Sequence, residues 1–255
     1  MLRPVWTALI VLWTVLAAAP VTAANAGSAC RLEIGWEEWF PFIYKQDGQF
    51  AGLEYQLLQQ LALRADCQLV FVEVPWGRSL RMLQNQELDV LSAASQTPER
   101  LRYARFSLPY RMEQLVLVTR AASGNPTSVS LEQWLATPNM QGNEKIIGLV
   151  LANYYGEALE SLVRDPALKS RRIEVRRSHQ LRQMLVKNRI DGFLVERSVA
   201  LAGQEQPEVA LQLVNLSENK AEPLHLMFSL GVPVPVVERF NAAIRASAAA
   251  VLDTP

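Results

Sequence analysis

Leu57, Leu58, Leu61, Ala62 and Ala65 recur at helical spacing within residues 53–65, between two short apolar runs at 31–35 and 68–74 rich in Val, Ile, Leu and Phe. This pattern predicts a strand–helix–strand unit. A second helix over 78–86 leads into a strand at 88–93, and the run 114–119 (QLVLVT) reads as another strand. Ser123-Gly124-Asn125-Pro126-Thr127 then breaks the pattern as a hinge or linker. Ser130 and Gln133 suit a capped helix start for SLEQWL.

The second half repeats the theme. Strands at 145–151, 172–176 and 190–195 alternate with helices at 154–164 and 178–188, and a return segment at 224–230 precedes an alanine-rich helix at 235–251. Alternating strands and helices predict parallel sheets covered on both faces. An internal echo supports two similar lobes. Met82-Leu83, four residues, then Leu88-Asp89 matches Met184-Leu185, four residues, then Ile190-Asp191.

The first residues change the picture of where the chain acts. Arg3, the apolar run Val5 to Ala19 and the small residues up to Ala26 have the three parts of a secretory signal, with Ala24-Asn25-Ala26 as the cleavage site. Val21-Thr22-Ala23 is a second candidate site. The apolar run is shorter than the roughly 20 residues a membrane span needs. Cleavage after Ala26 removes 26 of 255 residues and one of 25 basic residues, Arg3, against 25 acidic ones, leaving a net charge of −1. No basic surface for nucleic acid and no polybasic membrane patch is indicated. The expected product is a periplasmic, monomeric protein.

Cys30 and Cys67 are the two cysteines, and each opens a predicted strand. An even count in an exported chain favours a disulfide. If the strands are neighbours and parallel, the cysteines lie side by side, and the bridge contributes roughly 3–4 kcal/mol by loop closure. The rival reading is a lipidated Cys30 after Gly27-Ser28-Ala29, against which Gly27 stands where a larger aliphatic residue is usual.

Ligands of open α/β sheets sit beyond the carboxyl ends of strands. Trp39 and Trp76 follow the first two long strands and offer flat faces for stacking, whereas Phe40 and Phe42 read as core. Ser95, Thr97 and Arg100 in SQTPER could receive a carboxylate, hydroxyls and guanidinium together; alternatively Thr97 caps a helix and Arg100 is exposed. His179 and His225 are isolated, no HExxH, GxSxG or phosphate-cradling motif occurs, and neither a metal nor a cofactor is indicated.

The string from FPFIYKQDGQFAGLEYQLLQQLA through PW, LDVLSAASQTPER and FSLPY to LVLVT resembles the family 3 extracellular solute-binding proteins, the amino-acid receptors of bacterial ABC importers. The resemblance implies a type II periplasmic-binding-protein-like fold: two doubly wound α/β lobes with a ligand cleft between them. The expected divisions are a signal at 1–26, a first lobe at 27–116, a second at 117–213, and a crossover and return at 214–255. It also implies stacking by Trp39 and Trp76, an α-carboxylate held by Ser95, Thr97 and Arg100, and an α-ammonium held by Glu196. Tyr154 and Tyr155 stand where the family often has a Gly-Thr-Thr-like turn, so both become candidate ligand residues. Arg78 adds a second cationic contact, and Glu37, Glu38 or neither replaces a first-turn aspartate common in the family. The expected partners are a small-molecule ligand and an ABC importer permease or a membrane sensor. The alternative is an exported enzyme like the cyclohexadienyl dehydratases, with Glu196 as general acid.

Overall fold

The computed structural model describes residues 30–122, 126–202, 209–218 and 220–252. The signal segment, residues 27–29 before Cys30 and the centre of the predicted linker at 123–125 lie outside them.

The chain runs β1 (Cys30–Trp36), a hairpin of β2 (Tyr44–Gln46) and β3 (Gln49–Ala51), α1 (Leu53–Arg64), β4 (Cys67–Glu73), α2 (Trp76–Gln84), β5 (Val90–Ala94) and β6 (Ala104–Glu113). It continues through β7 (Leu115–Arg120), β8 (Ser128–Val129), α3 (Leu131–Ala136), β9 (Ile147–Val150), α4 (Glu157–Val163), β10 (Arg172–Val175), α5 (His179–Val186), β11 (Gly192–Glu196) and α6 (Arg197–Ala202). It ends with β12 (Leu211–Leu216), β13 (Glu222–Ser229) and α7 (Val234–Leu252). Two main sheets form, in the orders β4-β1-β5-β13-β6 and β10-β9-β11-β7-β12-β8. The chain crosses between them twice: at Gln114, between β6 and β7, and between β12 and β13.

Both sheets are covered on two faces. In the first, Leu32, Ile34 and Phe228 pack with Leu58 and Leu61 of α1 and Phe240 of α7, while Leu91 and Met227 pack with Leu83 of α2. In the second, Leu115 and Leu117 of β7 face α3 and α4, and the alternate residues Val116 and Val118 face α5 and α6. The helix predicted at 53–65 buries Leu58, Leu61, Ala62 and Ala65 as its spacing requires. Ser130 caps α3, its Oγ accepting from Gln133 N at 3.0 Å.

The expectation of parallel sheets holds only in part. β1, β4 and β5 are parallel, as are β9, β10 and β11, but β13 runs antiparallel to β5 and β6, and β7 antiparallel to β11 and β12. A strand entering a sheet from the other lobe arrives without a crossover helix and meets its neighbours head to tail. The helix expected at 154–164 also starts later, at Glu157, because Gly156 (φ 80°) breaks the turn before it.

The internal echo is a structural repeat. In the first lobe Asp89 Oδ2 accepts from Glu33 N at 2.8 Å, and Asp89 N donates to Glu33 O at 2.9 Å. In the second, Asp191 Oδ2 accepts from Ile146 N, and Asp191 N donates to Ile146 O, both at 2.8 Å. Two residues after each bonded strand position stands a glycine. A Cβ on Gly35 would come within 2.8 Å of Leu88 Cδ1, and one on Gly148 within 2.6 Å of Ile190 Cδ1. Leu88 and Ile190 are the matched positions of the echo.

Cys30 and Cys67 are directly opposed in the β1–β4 register and joined as a disulfide spanning 37 residues. Replacing both by serine is expected to cost about 3–4 kcal/mol of stability, measured by denaturant titration, with the fold retained.

Candidate functional site

A cavity of about 130 Å³ lies between the lobes, lined from the first by Trp36, Glu37, Trp39, Trp76, Ser95 and Arg100 and from the second by Tyr154, Tyr155 and Glu196. Glu113, at the crossing, completes the wall.

Trp39 is fixed from behind. Its ring packs on Phe42 with centroids 4.4 Å apart, and the Arg111 guanidinium sits 4.4 Å from the Phe42 ring and 5.1 Å from the Trp39 ring. Arg111 is held in turn by the buried Glu54, Nε to Oε2 at 3.0 Å, and Glu54 also accepts from the Tyr110 hydroxyl. Tyr110 Oη accepts from Ala93 N at 2.8 Å, which anchors the cavity-lining end of β5.

Trp76 opens α2, and Arg100 follows β5. The Arg100 guanidinium lies 5.4 Å from the Trp76 ring and donates from Nη1 to Ser95 O at 2.9 Å. Both residues also reach across the cavity to one atom of the second lobe. Trp76 Nε1 and Arg100 Nη2 donate to Ala152 O at 3.2 and 3.3 Å. Ala152 adopts the left-handed backbone region, φ 64°. Burial pulls the Arg100 guanidinium below the ordinary arginine value, opposed by the charges of Tyr103 and Glu99.

Glu196 ends β11 and is buried. Its Oε2 accepts from Ser198 N at 2.7 Å and Val199 N at 3.1 Å, and its Oε1 from Ser198 Oγ at 3.3 Å. Two other acids are less well served. Burial raises the carboxyl of Glu37 from 4.5 to about 7, against a backbone hydrogen bond at Trp76 and the charge of Arg177. Its Oε2 is buried without a hydrogen-bond partner. Burial likewise raises Glu113 from 4.5 to about 7, with Arg111 opposing and Glu196 and Glu222 reinforcing.

Trp39, Trp76, Ser95, Arg100, Tyr154, Tyr155 and Glu196 are thus brought to one cavity, whereas Arg78 and Thr97 are not among its lining residues. Arg78 is exposed on α2. Thr97 Oγ1 accepts from Arg100 N at 3.2 Å, which is the capping role, while the Arg100 side chain is buried instead of exposed. Tyr155 touches the cavity, but its hydroxyl turns inward, accepting from Val150 N at 2.6 Å. Phe40 is 47% exposed, not core, while Phe42 is buried. Glu38 is exposed, so Glu37 is the first-turn acid that faces the cavity. Glu113 had no signal in the sequence, because only register places it beside the cleft.

Residues 32–247 match the model of the bacterial extracellular solute-binding proteins, family 3. The chain belongs to this family. This solute-binding protein is 23% identical over 228 residues to the arginine-binding extracellular protein ArtP of Bacillus subtilis, covering 88% of the chain and 84% of the relative. The solved structure of an ancestral arginine-binding protein bound to arginine superposes with a TM-score of 0.70 at 22% identity, over 86% of this chain and 92% of that one, a likeness of fold. A shorter match, 33% over 75 residues, is to the cyclohexadienyl dehydratase of Pseudomonas aeruginosa and covers 29% of this chain and 28% of that enzyme. Among the described residues no helix is long and apolar enough to cross a membrane, and no three metal-binding side chains cluster.

Glu37 and Glu113 hold their protons in the folded solute-binding protein up to about pH 7, whereas the unfolded chain releases them near 4.5. Their stabilising contribution is therefore complete below about pH 4.5 and lost as pH rises through about 7. In calorimetric melts of the ligand-free protein, the double variant Glu37→Gln/Glu113→Gln is expected to lose less stability than the parent between pH 5 and pH 8. Trp76→Phe keeps an aromatic face but removes the indole N–H and its bond to Ala152. A cross-lobe hydrogen bond of about 1 kcal/mol predicts roughly fivefold weaker ligand binding and a larger solution radius by X-ray scattering.

Proposed function

We propose that this chain is a periplasmic receptor that binds a small amino acid, delivers it to an ABC importer and does not transform it. The observation that carries the reading is the composition of the cleft. A buried guanidinium, two indole faces and a buried carboxylate face one cavity to which both lobes contribute. Arg100 keeps N–H donors beyond those given to Ser95 and Ala152, enough to fork onto an α-carboxylate. Trp39 and Trp76 stack on the side chain, and Glu196 accepts from the α-ammonium. The names of ArtP and of the ancestral arginine-binding protein support an amino-acid ligand.

A ligand touching both half-sites favours the closed arrangement by the contacts it makes only there. Arg100 and Trp76 have polar partners on the second lobe already, so closure draws on protein–protein bonds as well as on ligand. Catalysis is the weaker reading. Both Glu196 oxygens are already committed as acceptors, which leaves it poorly placed as a proton donor.

Thermal-shift screening of the twenty common L-amino acids is expected to show stabilisation by at least one. Mass spectrometry after incubation should recover that ligand unchanged. Stabilisation by none would end the amino-acid reading, and a product of altered mass would end the receptor reading. Arg100→Ala is expected to weaken calorimetric binding of the stabilising amino acid at least about tenfold, the loss of a charged, bidentate contact.

A further inference from the structure

Glu113 ends β6 at the point where the chain leaves the first lobe, and its side chain lines the cavity. Among the described residues, no hydrogen bond or ion pair reaches its carboxylate. Arg111, two residues earlier, pairs with Glu54 through Nε and packs on the rings of Phe42 and Trp39. Its charge acts on both Glu113 and Glu196, but it bonds neither, and its Nη2 is buried without a partner. Glu113 stands directly opposite Glu222 of β13, and Glu196 opposite Leu115 just past the crossing. Glu222 lines a separate cavity beside Lys220. Of the three acids lining the ligand cavity, Glu37, Glu113 and Glu196, the last two act on each other electrostatically. Two carboxylates sharing one enclosed site repel unless a cation lies between them.

The acceptor capacity of Glu196 sharpens the point. A carboxylate has about four lone-pair positions, and Ser198 N, Val199 N and Ser198 Oγ occupy three. One N–H of a primary ammonium fits the fourth. Its other N–H groups need an acceptor, and Glu113 offers an untouched carboxylate.

We infer that Glu113 is a ligand-contacting specificity residue, which together with Glu196 seats a primary ammonium group of the ligand where the chain crosses between the lobes. The inference rests on the amino-acid reading above and adds a residue and a requirement to it. The ligand must carry a charged amine with at least two free N–H groups. Because burial holds a proton on Glu113 near neutral pH, an arriving ammonium displaces that proton.

The test is calorimetric titration of L-arginine, L-lysine, L-histidine and L-glutamine, then the remaining common amino acids, at pH 7 in two buffers of different ionisation enthalpy. With the tightest probe, Glu113→Gln is expected to bind at least about tenfold more weakly and to release about half a proton less per ligand than the parent, with no loss of melting temperature. Glu113→Asp should retain most of the proton release. Unchanged affinity and proton count in Glu113→Gln would overturn the inference while leaving the amino-acid reading intact. Weaker binding with an unchanged proton count in both variants would reduce Glu113 to a structural role and overturn it equally. Failure of every amino acid to bind the parent would overturn both readings.

Discussion

The buried carboxylate of Glu54 is the anchor on which the first half of the site depends. It is almost inaccessible to solvent, and it is matched by the Arg111 guanidinium and the Tyr110 hydroxyl. A buried acid left unpaired would be costly, so the three side chains fix one another's positions. From them the order spreads outward. Arg111 backs Phe42 and Trp39, Tyr110 holds the backbone at Ala93, and β6 is aligned so that Glu113 meets the cleft. Removing Glu54 would leave a buried guanidinium behind the aromatic wall and detach the end of β5 from its support.

The second lobe answers with backbone more than with charge. Its turn at 151–156 is braced by Arg164, which donates to Asn153 O at 2.8 Å and pairs with Glu160 and Glu174, while Glu160 accepts from Tyr155 N at 3.0 Å. That bracing aims the Ala152 carbonyl at Trp76 and Arg100. The Ala152 carbonyl is thus a polar contact shared by two side chains of the first lobe. The cavity walls stay available to a solute.

Much of this was readable from residue order. The 53–65 helix and the repeated Met-Leu…Asp unit follow from local spacing. Strand ends pointed to Trp39, Trp76 and Arg100, the family resemblance added Glu196, and all four line one cavity. What escaped has physical causes. β6 carries Pro109 and exposes Leu108 and Met112, so its apolar alternation is broken, which an edge strand tolerates. The strand direction of β7 was hidden because both its faces are buried, and a parallel or antiparallel neighbour would demand the same residues. Tyr155 has the composition of a ligand contact but satisfies the Val150 amide instead. Glu113 owes its position to a register with Glu222, which no local pattern records.

The paired locks of Asp89 and Asp191 carry a mechanical consequence. Each closes its own strand–helix–strand unit by exchanging two hydrogen bonds with the first strand, and each glycine lets the same unit pack without a gap. Stiffness is thereby built separately into each half, and the compliance of the molecule is left to the two crossings. A strain introduced inside one half is met first by that half's own lock.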